Sequence, residues 1–179
     1  MAPFAKLGEQ EIARGFRFTV ARGRFRGPDG QEFERDIVHH PGAVAVVPLH
    51  DDGTVTLVRQ YRASLDADLL ELPAGLRDVE GEADETAAAR ELQEEAGLRA
   101  TELRRLVGFH NSPGFCDEEV GVFLATGLHE VPDDRQGTEE ELMTLERVPL
   151  EDALAMVDDG RITDAKTIIG LLLAARRAR

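Results

Sequence analysis

The stretch that decides the fold runs Glu71-Leu72-Pro73-Ala74-Gly75, continues through Glu82, and ends in Arg90-Glu91-Leu92-Gln93-Glu94-Glu95-Ala96-Gly97-Leu98. Its second half reads as a helix over Asp84–Ala96. Asp84 stands where a capping side chain belongs, and Glu85 lies in the first turn, where the helix dipole favours acid. Gly97 supplies the left-handed stop. Ala88, Leu92 and Ala96 recur every four residues and form an apolar stripe. Glu91 and Glu95 share that spacing and stand beside the stripe, with Glu94 on its other flank. Carboxylates one turn apart destabilise a helix by roughly 0.2–0.5 kcal/mol per pair, and partial burial adds to the cost. A divalent cation removes it, because hard ions such as Mg²⁺ take carboxylate oxygens and keep positions open for phosphate. Glu82, in an Asp/Glu/Gly loop, returns toward the same place, and Arg90 can pair with Glu94 four residues on.

Working outward, strands are expected at Arg17–Ala21, Phe33–His39, Ala43–Val47 and Thr54–Gln60, with turns at Gly27-Pro28-Asp29-Gly30 and Asp51-Asp52-Gly53. More follow near Leu103–His110, Val120–Ala125 and Leu142–Val148, and helices near Leu150–Val157 and Ala165–Arg177. Strands and helices do not alternate as β-α-β units, so the class is α+β rather than doubly wound.

The chain has 179 residues and a formal net charge of −14. That balance disfavours a nucleic-acid partner, which calls for a basic stripe. An anionic small molecule remains compatible if cations supply positive charge. Residues Met1 to Lys6 carry no apolar run of signal-peptide length, and no segment approaches the roughly 18 apolar residues of a membrane span. Cys116 is the single cysteine and has no internal partner, which fits a reducing cytoplasm. None of the five histidines makes a metal-ligand pattern, and His39-His40 reads as a strand end.

Glu-x-x-Glu-Glu alone describes many solvated helix faces. Such a face accounts for neither the glycine-bearing approach loop, nor the Gly97 stop, nor Arg90-Glu91 in register. Together they resemble the Nudix box, G-x5-E-x7-R-E-U-x-E-E-x-G-U with U aliphatic, which Glu82 to Leu98 fit without a gap. One departure is visible: six residues, not five, separate Gly75 from Glu82. Some ADP-ribose hydrolases of the family carry a similar insertion.

The resemblance implies an α/β/α sandwich with a mixed central sheet. It implies Mg²⁺, with Mn²⁺ as an alternative, held by Glu91 and Glu95 with Glu94 assisting, and by the Ala74 carbonyl. Glu82 and Arg90 support them. Pro113, sixteen residues after Gly97 in Ser112-Pro113-Gly114-Phe115, is similar to the mark of ADP-ribose and ADP-sugar hydrolases. So is Val58-Arg59-Gln60-Tyr61-Arg62 followed by Glu71 to Gly75. Arg59, Arg62, Pro113, Gly114 and Phe115 are therefore expected on the substrate, although Phe115 also reads as a core or dimer residue. In that group the base often comes from a loop outside the box. Here Glu139 is the choice, with Glu140 or Glu141 as alternative registers.

The implied division is an N-terminal β segment, residues 1–42, used for homodimerisation, and a catalytic domain, residues 43–179. The implied reaction splits ADP-ribose into AMP and ribose 5-phosphate. Another nucleoside diphosphate derivative (an ADP-sugar, NADH or a dinucleoside polyphosphate) is the alternative. A nucleotide-sensing module without catalysis is a third reading, against which the intact box glutamates stand.

Overall fold

The computed structural model describes residues 3–134 and 141–177. In chain order the strands are β1 (Ala5–Arg14), β2 (Thr19–Arg26), β3 (Glu32–His39), β4 (Ala43–Pro48), β5 (Thr54–Arg62), β6 (Ala67–Glu71) and β7 (Ala74–Leu76). Helix α1 (Asp84–Ala96) follows, then β8 (Leu98–His110), β9 (Glu119–Glu130), β10 (Thr144–Pro149), α2 (Leu150–Asp158) and α3 (Ala165–Arg177). The chain divides into two compact units: Met1–Gly42 with His110–Glu119, and Ala43–Phe109 with Val120–Arg179.

The first unit is built on an antiparallel sheet in the order β1-β2-β3. Strand β1 was not expected, because its sequence AKLGEQEIAR lacks apolar alternation and most of it is exposed. It forms through its pairing with β2, from Ala5 opposite Arg26 to Arg14 opposite Thr19. Phe16 and Arg17 lie in the turn instead of opening a strand, and Phe16 is 94% exposed. Segment 110–119 is tied to β3, where the Val38 N–H donates to the Phe115 carbonyl at 2.7 Å and the Asp117 N–H to the Val38 carbonyl at 3.1 Å.

The second unit holds two sheets, β10-β5-β6 and β7-β4-β9-β8. In the latter, β4 runs parallel to β9 and antiparallel to β7, so the sheet is mixed. The run Val44-Ala45-Val46-Val47 is fully buried, as expected of a strand covered on both faces. Val44 and Val46 pack with Ala88, Leu92 and Ala96 of α1. Ala45 and Val47 face the opposite way and pack with Leu57 of β5 and with Leu171 and Ala174 of α3. Helices thus cover both faces of this sheet, and the α+β class with a mixed central sheet holds. Burying a side chain such as Leu92, 1% exposed, contributes about 1.5–3 kcal/mol. The core stripe is therefore also what fixes the rotation of α1 and the direction of its carboxylates.

Candidate active site

Helix α1 has the expected bounds, but its start differs from expectation. Ala83, in an extended conformation, occupies the cap position with no side-chain cap bond. Asp84 is already helical, and its carboxylate takes Arg77 at 3.1 Å. The stop is as expected: Gly97 has φ 62° and its N–H donates to the Gln93 carbonyl at 2.9 Å.

Glu91 and Glu95 are only 7% and 4% exposed. Strand β7 approaches them from the neighbouring sheet. The Ala74 N–H donates to Glu95 Oε2 at 2.8 Å. Gly75 leaves a slot that the Glu91 carboxylate fills: a Cβ at this position would overlap its Cδ and both of its oxygens. Gly75 does not have a positive φ, so the need for glycine here is one of space. The extra residue between Gly75 and Glu82 therefore leaves both Ala74 and Gly75 against the acidic helix.

Arg90 gathers the remaining box carboxylates. Its Nε and one terminal nitrogen reach the two oxygens of Glu82 at 3.2 and 3.1 Å. The other terminal nitrogen donates to Glu91 Oε1 at 2.6 Å and to Glu94 Oε2 at 2.9 Å. Glu82, followed by Glu91 and Glu94, pushes the guanidinium pKa up, so it carries its charge at every working pH. Among the described residues, no three acidic, histidine or cysteine side chains converge as a ready-made ligand set. Glu82 and Glu94 are turned to Arg90, Glu95 faces the β7 backbone, and Glu91 meets both Arg90 and the Gly75 backbone. Such a donor set suits a hard divalent cation that binds through one or two carboxylates and shares its other positions with water and substrate phosphate.

The remaining expected residues are placed as follows. Arg59 pairs with Glu146 of β10 at 2.6 Å on the exposed side of β5. Arg62 donates two nitrogens to the two oxygens of Glu71 at 2.7 and 2.6 Å. Pro113, Gly114 and Phe115 belong to the first unit and line a cavity of ≈ 480 Å³ there, with Phe4, Phe25 and Phe33. Phe115 is 59% exposed, which removes the core reading for it. Glu139 and Glu140 lie outside the described residues; Glu141 is described and exposed.

One cluster escaped sequence reasoning. Glu71 is 1% exposed and is held by Arg62 and by Lys166, which also reaches Asp164 at 3.0 Å. Burial opposes the charge of Glu71, but the two cations outweigh it and keep its pKa below the usual carboxylate value. The available signal was a glutamate inside the apolar run Leu69-Leu70-Glu71-Leu72, since a buried carboxylate needs a partner.

The model of the NUDIX domain matches residues 39–169. The chain is 41% identical over 169 residues to the ADP-ribose pyrophosphatase of Mycobacterium tuberculosis (strain ATCC 25618 / H37Rv), covering 94% of this chain and 82% of that protein. It is 44% identical over 140 residues to the ADP-ribose pyrophosphatase of Bacillus subtilis (strain 168), covering 78% and 75%. A solved structure of an ADP compounds hydrolase superposes with a TM-score of 0.84 at 25% identity, covering 98% of this chain and 94% of that one. With the Arg90-Glu91 to Glu94-Glu95 core of the box on α1 and a family match over more than half its length, the chain belongs to the Nudix family.

Proposed function

We propose that this chain hydrolyses the diphosphate bond of ADP-ribose, with Mg²⁺, to give AMP and ribose 5-phosphate; one water is consumed and its oxygen ends on one of the two phosphates. The observation that carries the reading is the buried Glu91–Glu95 pair set against the Ala74-Gly75 backbone, in a chain at least 41% identical to two proteins that bear that activity in their names. Glu91 and Glu95 would hold the cation with the Ala74 carbonyl. Arg90 holds Glu91 and Glu94 in orientation and is itself held by Glu82. When bound, the cation offsets the charge of the diphosphate and polarises its phosphorus–oxygen bonds. The chain's own task is then positioning and proton transfer, as phosphoryl chemistry asks of a protein. Glu139, or Glu140 or Glu141 in an adjacent register, takes the proton of the attacking water. Arg59 and Arg62 supply guanidinium charge on the substrate side.

The first unit carries the partner. Phe4, Ile12, Phe16 and Phe18 are 69%, 48%, 94% and 44% exposed, an apolar display that a second copy of the chain would cover. The site of action is the cytoplasm, which suits the lone Cys116. Among the described residues no helix is long and apolar enough to cross a membrane.

Glu95→Gln removes the charge while keeping the shape, and turnover at saturating Mg²⁺ should collapse; wild-type turnover in this variant refutes the ligand assignment. Glu139→Gln should lower turnover with substrate affinity kept, and the same loss in Glu140→Gln or Glu141→Gln instead moves the base by that register. A panel of ADP-ribose, an ADP-sugar, NADH and a dinucleoside polyphosphate, with products separated, tests the substrate. Sedimentation tests the dimer, which a monomer at micromolar concentration would rule out.

A further inference from the structure

The backbone that meets the acidic helix is a four-residue bridge, Glu71-Leu72-Pro73-Ala74, leading from β6 into β7. Proline has no N–H, so between Glu71 and Gly75 only Leu72 and Ala74 have backbone donors. The Ala74 N–H goes to Glu95 at 2.8 Å. The Leu72 N–H goes to Thr167 Oγ1 of α3, also at 2.8 Å. The bridge is therefore hung between two hydrogen bonds, one on the carboxylate read as a cation ligand and one on a different helix. The Pro73 carbonyl adds a third tie by accepting from the Val46 N–H at 2.9 Å.

Thr167 is fully buried, on a helix face whose neighbours Leu171 and Ala174 are core. An aliphatic side chain would serve packing there equally well, so the hydroxyl has another use. Its direction is dictated by its partners. The Leu72 N–H can only donate to it, and the Asp164 carboxylate can only accept from it. The hydroxyl hydrogen accordingly points to Asp164 Oδ2 at 2.6 Å. Asp164 is in turn fixed at the start of α3, where the same oxygen accepts the Thr167 N–H at 2.9 Å, and Lys166 bridges Asp164 to Glu71. Asp164, Thr167 and Leu72 make one relay that ends where the bridge begins.

We propose that Thr167, oriented by Asp164, is a positioning residue for the cation site: it sets where Ala74 stands against Glu95, and so how tightly the site holds a divalent cation. This rests on the reading of Glu91 and Glu95 as cation ligands. Thr167 itself touches neither carboxylate. Removing its hydroxyl leaves the Leu72 N–H without a buried acceptor, and the bridge gains freedom at its first tie.

The test needs no substrate. Mn²⁺ binding to the full chain is followed by electron paramagnetic resonance, and amide exchange at Leu72 and Ala74 by NMR. Thr167→Val should weaken Mn²⁺ binding about tenfold, the low end of what losing outer-shell support costs a metal site, and should speed exchange at both amides. Thr167→Ser, which restores the hydroxyl, should recover both. Leu171→Ala, a core truncation on the same helix, should lower the unfolding midpoint with Mn²⁺ affinity kept. Unchanged affinity and exchange in Thr167→Val overturn the proposal, and so does an equal loss of affinity in Leu171→Ala. If Thr167→Val does not fold, Asp164→Asn weakens the same relay; affinity equal to wild type in that variant also overturns it. A wild-type chain that takes up no Mn²⁺ refutes instead the ligand assignment beneath it.

Discussion

Gly75→Ala adds one methyl group at the place where β7 faces α1. The new carbon would fall on the Glu91 carboxylate, nearer to Cδ and both oxygens than any real contact allows. Backbone strain plays no part, because Gly75 is not among the positive-φ glycines. The side chain that must yield is Glu91, since the β7 backbone is paired to β4 at Val44 opposite Gly75 and Ala45 opposite Ala74. Relief requires its carboxylate to withdraw by about 1 Å, and a displacement of that size in a catalytic constellation costs on the order of 100-fold in rate. It also exceeds the tolerance of about 0.2 Å within which metal–ligand distances are held. The expected loss of turnover is thus ~100-fold, or about 2.7 kcal/mol of barrier. Stability should change far less, because the clash is with the end of a flexible side chain, which can yield by rotation where backbone or a packed core ring cannot. An overpacking cost of about 1 kcal/mol corresponds to a fall of roughly 2–4 °C in unfolding midpoint for a chain of this size. The assay pairs ADP-ribose turnover across a Mg²⁺ titration with a thermal melt of the same preparation. Wild-type turnover and wild-type half-saturation by Mg²⁺ in Gly75→Ala would refute the claim that this glycine is the slot for a cation ligand. A loss of activity matched by global unfolding would refute it equally.

Two further outcomes are expected. Arg90→Lys keeps the charge but replaces a planar fork by a point donor, which cannot serve Glu82 through two nitrogens while also holding Glu91 and Glu94; turnover should fall about 10–100-fold and half-saturation by Mg²⁺ should rise, both readable in one titration. His39 bonds Asp117 through Nδ1 and Glu9 through Nε2 at 2.8 Å; Asp117, opposed by burial and aided by Glu9, raises its pKa. A raised folded value means that the stabilisation is complete below the unfolded value of about 6.5 and is lost as pH rises through the folded one. Wild type should therefore lose unfolding free energy across that window, relative to His39→Asn, in denaturant titrations from pH 5 to 9. Parallel curves for the two proteins would contradict the sign.

The elements of the second unit that sequence made legible are those whose burial is one-sided or complete. Helix α1 announces itself by a four-residue apolar stripe and a glycine stop, and β4 by an unbroken apolar run. Strand β1 had no such signal, because both of its faces are mostly solvated and its existence depends on β2 alone. The short β7 has three residues, too few to show a period. In the site, the chemistry of Glu91, Glu95 and Arg90 was readable because helical spacing converts directly into shared faces. The ties of Thr167 to Leu72 and of Lys166 to Glu71 span 95 residues in sequence, and no local pattern encodes a partner at that distance. The same holds for the slot at Gly75: glycine could be read there, but the reason for it is a carboxylate on another element.

Electrostatics then links the fold to the order of events in the site. Glu82, Glu91, Glu94 and Glu95 bring four negative charges to one turn of helix and its approach loop, and Arg90 offsets one of them by direct contact with three of the four. The carboxylates still outnumber the cations that act on them, Arg90 and, on Glu95, Arg62, and two of them are nearly buried, where attraction and repulsion are both screened less than in water. A diphosphate arriving alone would meet that repulsion. A divalent cation offsets most of that excess, and because Glu91, Glu94 and Glu95 are fixed by covalent spacing on α1, the excess cannot relax without unpacking the stripe that holds the helix to the sheet. Cation and substrate binding are for this reason expected to be cooperative, each raising the affinity for the other. The same apolar stripe that folds the domain is what keeps the carboxylates from escaping one another.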